Sequence, residues 1–135
     1  PGKAGDAMRY MNDPTRDGQS RDYYPERYTG VEDNGGVHLN SGIANLAFYL
    51  TVAGGKHPRA RTSTVVPALG VDRASAIYYR ALTTYLASDA SFQDARNATA
   101  QAATDLYGAE AAAAVHAAWT AVGVPGAPDG GGGGL

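Results

Sequence analysis

Apolar residues recur along residues 39–53 with helical spacing. Leu39, Ile43, Leu46 and Leu50 step by four, three and four, and so share one face. Asn40 or Ser41 can cap a helix that starts near Leu39 to Ser41 and runs to Ala53, where Gly54-Gly55 ends it. A second helix is predicted from about Val71 to Ala87, with a stripe of Ile77, Tyr78, Ala81, Leu82 and Tyr85. A third runs from Phe92 to Tyr107. Its narrow face holds Phe92, Ala95, Thr99, Ala102 and Leu106, and Gly108 closes it. Ser91 with Asp94 forms its capping box, with Asp in place of the usual Glu or Gln. A fourth, from about Ala109 to Val122, places Ala111, Val115, Ala118, Trp119 and Val122 together and stops at Gly123. The last two helices are rich in alanine, the best helix former and small enough to let helices approach closely.

The first 36 residues follow no such period and are rich in Gly, Asp, Tyr, Pro and Arg. Only Asp6-Ala7-Met8-Arg9-Tyr10-Met11 reads as helix. Asn12-Asp13-Pro14 stops it, because the residue before proline is driven out of the α region. An irregular stretch this long needs a function or a supporting surface. Tyr23, Tyr24 and Tyr28 read first as residues that pack it onto a helix and second as substrate contacts. Lys56 to Pro67 is a basic loop with a β-branched piece, Thr62 to Val66. Pro125 to Leu135 carries five consecutive glycines, a flexible tail or a linker to further chain. The pattern therefore predicts an all-α domain over residues 1–124, with about four to five helices and a long irregular N-terminal segment. A Gly-rich tail over 125–135 comes after it.

Composition narrows the function classes. A length of 135 residues fits one domain, and 44% hydrophobic residues suffice for a modest core. Eleven basic and 13 acidic residues give a net charge of −2 with no basic stripe, so nucleic acid is not an expected partner. No apolar run approaches ~20 residues, so no membrane span is expected. Pro1-Gly2-Lys3-Ala4-Gly5-Asp6 lacks the charged and apolar regions of a signal peptide. There is no cysteine, which excludes disulfides, thiolate metal sites and a cysteine nucleophile.

The densest candidate chemistry lies in Asp33-Asn34-Gly35-Gly36-Val37-His38-Leu39-Asn40-Ser41-Gly42. Gly35-Gly36 permits a tight turn, and Asp33 is near enough in sequence to fold back onto the His38 ring. A carboxylate there favours the imidazolium and fixes its tautomer, while a nearby helix N-terminus disfavours the positive charge. The plainer alternative is a loop histidine bonded to backbone. Arg9 offers a planar guanidinium for a carbonyl or carboxylate, against a surface ion pair with Asp6 or Asp13. Asp6, beside glycine, suits calcium ligation or a helix cap, and the two roles can coexist. His57 and His116 read as structural or exposed. There is no H-E-x-x-H, and three scattered histidines do not make a zinc site. Asn97-Ala98-Thr99 matches a glycosylation acceptor inside a predicted helix, a chance match.

The motifs then fall into a familiar order. Gly5-Asp6-Ala7-Met8-Arg9 is followed by Asn12-Asp13-Pro14, by Arg27-Tyr28-Thr29-Gly30 and by Asp33 through Ile43. Tyr79-Arg80-Ala81-Leu82-Thr83, Thr104-Asp105-Leu106-Tyr107-Gly108 and Ala121-Val122-Gly123-Val124 complete the set. Over residues 1–124 the chain resembles the C-terminal domain of thermolysin-like neutral metallopeptidases. The resemblance implies a secreted, two-lobed endopeptidase with its substrate cleft between the lobes. Zinc there is held by two histidines and one glutamate, the ligand set for which thermolysin is a standard example. In the family, zinc and a further glutamate activate water against the peptide carbonyl. All of those residues would precede Pro1, so this chain carries no zinc ligand.

By matching position, the resemblance makes His38 the histidine that helps stabilise the tetrahedral oxyanion and Asp33 the carboxylate that orients it. It makes Arg9 the arginine that binds the substrate carbonyl on the leaving-group side, and Met8 an apolar lining residue of the adjoining pocket. Asp6 matches a calcium-ligand position whose two preceding ligands would lie before Pro1, so calcium joins zinc as an expected cofactor of the complete enzyme. The implied partners are the N-terminal zinc-binding lobe and a peptide or protein substrate. Two readings are open: the C-terminal half of a zinc endopeptidase, inactive alone, or a non-catalytic helical module that binds a protein partner. An H-E-x-x-H encoded upstream of Pro1 separates them.

Overall fold

The computed structural model describes residues 11–30, 32–87 and 89–126, with backbone alone for residues 32–39. Among the described residues four α-helices have both ends defined: α1 (Glu32–Ala53), α2 (Val71–Arg80), α3 (Phe92–Tyr107) and α4 (Ala109–Ala121). Among the described residues there is no strand, only an isolated antiparallel bridge between Gly55 and Val66. The all-α expectation holds. No helix among the described residues is long and apolar enough to cross a membrane.

Helices α3 and α4 form a close antiparallel pair around Gly108, whose φ of 98° turns the chain in the left-handed region. Ala102, Ala103 and Ala118 are wholly buried, so the small side chains expected to allow close approach lie in the core. Trp119 fills the centre. Its indole N–H donates to Thr99 Oγ1 at 2.9 Å, which satisfies the ring's one polar atom. Ile43, Leu46 and Leu50 of α1 and Ile77 of α2 complete the core. The capping box of α3 is formed. The Asp94 N–H donates to Ser91 Oγ at 2.9 Å, and the Ser91 N–H donates to Asp94 Oδ2 at 3.0 Å.

Two boundaries differ from expectation. Helix α1 begins at Glu32 rather than near Leu39 to Ser41, so neither Asn40 nor Ser41 caps it. Gly35 and Gly36 lie within it although each costs roughly 1 kcal/mol relative to alanine in a helix. Helix α2 ends at Arg80, and Ala81–Tyr85 continues it in a wider winding closed by the Leu86 N–H to Ala81 carbonyl bond at 2.9 Å. An extra residue in that turn rotates the side chains beyond it about the helix axis. Ala74, Ile77 and Ala81 are buried as a helical stripe, but Leu82 is 63% exposed and Tyr85 43%. Leu106 of α3 is likewise exposed and leaves its predicted face.

The irregular segment is held against the bundle. It contains two short 3-10 turns, Pro14–Asp17 and Tyr24–Glu26. The Tyr24 N–H donates to the Val122 carbonyl at 2.7 Å, and its buried ring meets Phe92 edge-on at 5.5 Å. The Arg27 guanidinium covers the Tyr24 ring at 3.9 Å. Tyr24 is therefore a packing residue, as expected. The Asp6–Met11 helix falls outside the described residues except for Met11, which is helical.

Candidate functional site

The backbone of Asp33, Gly35, Gly36 and His38 forms the first two turns of α1. Gly35-Gly36 is therefore helical, not a tight turn. The side chains of Asp33 and His38, and all of Asp6, Met8 and Arg9, lie outside the described residues. What the structure defines is the frame around the head of α1.

Asn40 is the nearest part of that frame. Its Oδ1 accepts from the Tyr28 N–H at 2.7 Å, and its Nδ2 donates to the Tyr28 carbonyl at 2.8 Å. One buried amide thus satisfies both backbone polar groups of a residue twelve positions earlier. Two residues on, α1 has no side chain at all. A Cβ built on Gly42 would stand 2.3 Å from the Arg21 carbonyl oxygen and 2.9 Å from Pro14 Cβ, so the segment crosses the helix where only glycine fits.

Behind the crossing lies a buried ion cluster. Asp22 is completely buried and takes two hydrogen bonds from Arg59, one of them Nε to Oδ2 at 2.9 Å. Arg59 also reaches Glu26, which pairs in turn with Arg61 at 3.1 Å. Burial alone would raise the Asp22 carboxyl. Hydrogen bonds from Arg59 and His57, with the Arg59 charge, outweigh it and hold the carboxyl at about 2. His57 Nδ1 accepts the Arg59 N–H at 3.1 Å, which assigns the proton to Nε2, and that atom donates to the Asp22 carbonyl at 2.8 Å. His57 is a buried structural histidine, as expected.

His116 is a structural histidine as well, one of the two roles expected of it. On α4, its Nδ1 accepts the Arg96 Nε–H at 3.0 Å, and Arg96 Nη1 donates to the Val124 carbonyl at 2.6 Å. Burial and the neighbouring guanidinium push its proton affinity down. Among the described residues no three His, Cys, Asp or Glu side chains converge as a metal site would require. Asn97 is exposed, while Thr99 of the same triplet is buried and bonded to Trp119, as befits a chance match. An open cleft of about 500 Å³ lies between α3 and the turn that carries Leu86, Ala87, Asp89 and Ala90.

Pattern reading did not single out Asn40, Gly42, Asp22 or Arg59 as structural ties. The available signal was polarity out of place: an asparagine and a glycine beside the buried stripe of α1.

The fold and its relatives define a class, the helical domain of a metallopeptidase. Residues 1–124 match the family described as thermolysin metallopeptidase, alpha-helical domain, and the chain belongs to that family. It is 52% identical over 126 residues to a bacillolysin of Bacillus cereus, covering 92% of this chain and 21% of that protein. It is 48% identical over 126 residues to a thermolysin of Alicyclobacillus acidocaldarius subsp. acidocaldarius, covering 92% and 22%. Among solved structures it resembles the precursor of protealysin, a metalloproteinase from Serratia proteamaculans. The TM-score is 0.62 at 34% identity, covering 79% of this chain and 30% of that one. The chain thus spans about a fifth of the length of the curated relatives it matches.

Proposed function

We propose that this chain is the C-terminal part of a secreted zinc endopeptidase and that it supplies groups that hold and polarise the substrate. The observation that carries this is the Asp33–Gly42 segment heading α1 in a domain of this family. His38 donates to the oxyanion that develops when a peptide carbonyl is attacked. Asp33 orients that imidazole and favours its charged form. Arg9 binds the substrate carbonyl on the leaving-group side, and Met8 lines the adjoining pocket.

The described residues of this chain do not fit a zinc site, because His57 and His116 are already bonded within the fold and no third ligand meets either. Zinc, the Lewis acid of the complete enzyme, is on this reading held entirely by the N-terminal lobe. Asp6 contributes to a calcium site shared with residues before Pro1. The partners are that lobe and a peptide or protein substrate.

The test compares the purified 135-residue chain with the complete protein that contains it. Chelator-sensitive casein cleavage is expected from the complete protein and none from the chain alone. Zinc-dependent cleavage by the chain alone would overturn the division of labour. An inert complete protein that still bound a protein partner would favour the binding-module reading.

A further inference from the structure

Asn40 has an unusual position for a buried polar side chain. It lies on α1 among residues that pack inward, with Ile43 and Leu46 wholly buried in the turns beyond it. A buried amide that lost its partners would be destabilising by about 1–3 kcal/mol. Here it is matched on both sides, and the match is to backbone, not to another side chain. The amide meets the Tyr28 N–H and carbonyl as a neighbouring strand would, at 2.7 and 2.8 Å.

The consequence is topological. The contact closes a loop whose ends are Tyr28 and Asn40, twelve positions apart. Both Asp33 and His38 lie inside it. One end is fixed again two residues beyond Asn40, where Gly42 meets the Arg21 carbonyl and Pro14. The other end is fixed by the Arg27 guanidinium, which bonds to the Tyr24 carbonyl at 3.1 Å and lies over its ring. The clamp is thus a fixed point, among the described residues, on each side of the segment that carries the proposed oxyanion donor.

We propose that Asn40 is a positioning residue for the peptidase reaction, holding the Asp33–His38 segment in register by bridging both backbone groups of Tyr28. The proposal rests on the assignment of His38 given above. Asn40 touches neither substrate nor metal on this account. Its effect passes through His38 alone, because that is the one group in the closed loop whose placement controls stabilisation of the oxyanion. A donor placed about 1 Å wrong can lose on the order of a hundredfold in rate.

The experiment is a double-mutant cycle in the complete enzyme, with kcat, KM, zinc content and melting temperature measured for each variant well below its melting point. Asn40→Ala is expected to lower kcat about 10- to 100-fold, with KM changed less than about threefold and zinc content unchanged. In a His38→Ala background the same substitution should lower kcat less than about twofold, because the group it positions is gone. Asn40→Asp keeps the acceptor for the Tyr28 N–H and loses the donor, so it should fall between wild type and Asn40→Ala. It also serves as the test if Asn40→Ala does not fold. Equal loss of kcat in both backgrounds, or a loss that tracks folded fraction or zinc content, would overturn the positioning role. If His38→Ala alone left kcat unchanged, the failure would lie in the assignment of His38 instead.

Discussion

Arg96 of α3 donates its Nε–H to Nδ1 of His116 on α4 across 3.0 Å, so a buried cation is bonded to an imidazole that must stay neutral to accept it. No carboxylate among the described residues forms an ion pair with either group. The same guanidinium fixes the Val124 carbonyl, where the chain leaves the bundle. Protonation of His116 would replace this bond with two adjacent positive charges.

The sign of the pH effect is set by the direction of the shift. His116 binds a proton less well folded than its ordinary value of 6.5, so the unfolded chain takes up more protons as the pH falls. Its contribution to stability is complete above 6.5 and is lost as pH falls through the lower folded value. Unfolding free energy measured against pH should therefore decline on the acid side of 6.5 in wild type. His116→Asn, which offers an amide oxygen in place of Nδ1 and does not titrate, should flatten that decline. An unchanged slope in the variant would show that the Arg96–His116 bond does not govern it.

Asp22 and Glu26 share one arginine but should differ in weight. The Asp22 side chain is fully buried, whereas Glu26 is 42% exposed. Removing one charge of a buried pair leaves the other unmatched and costs about 3–5 kcal/mol, while exposed pairs contribute about 0–1 kcal/mol. Asp22→Asn should thus lower stability by about 3 kcal/mol and Glu26→Gln by less than about 1 kcal/mol in denaturant titrations of the complete protein. In acid, the Asp22 contribution is full above 3.8 and is lost as pH falls through about 2. Equal effects from the two variants would contradict the burial argument.

Gly42→Ala sets two effects against each other. Alanine favours the helix by about 1 kcal/mol over glycine. The added Cβ would stand 2.3 Å from the Arg21 carbonyl oxygen, a backbone atom that cannot swing away. Overpacking of this kind costs about 1–3 kcal/mol, so a net loss is expected. A fall in melting temperature should accompany faster proteolysis of residues 11–30, which the crossing holds down. A rise in melting temperature would show that the segment yields easily.

Much of this frame was legible in the sequence because helices carry local signals at their ends and along their faces. The Ser91–Asp94 capping box and Gly108 fix both ends of α3 by local chemistry, and both stand where expected. The face of α4 that carries Val115 and Trp119 is buried as its spacing predicts. The wide winding at Ala81–Tyr85 was not legible, because an i→i+5 turn leaves the local composition unchanged and only rotates it. Asn40 misleads for a related reason. An asparagine near the start of an apolar run reads as a cap by local rules, yet its partner is Tyr28, twelve residues away. The ion cluster around Asp22 joins residues more than thirty positions apart, a separation on which periodicity carries no information. For the site itself, the role proposed for His38 comes from family motifs and not from periodicity.

The central claim is that His38 serves a zinc centre lying outside this chain. Its most direct test is the catalytic rate and zinc content of His38→Ala in the complete enzyme. Removing a donor to a developing oxyanion should lower kcat by about a hundred- to a thousandfold while zinc stays fully bound. A variant that lost its zinc, or kept its full rate, would contradict the account.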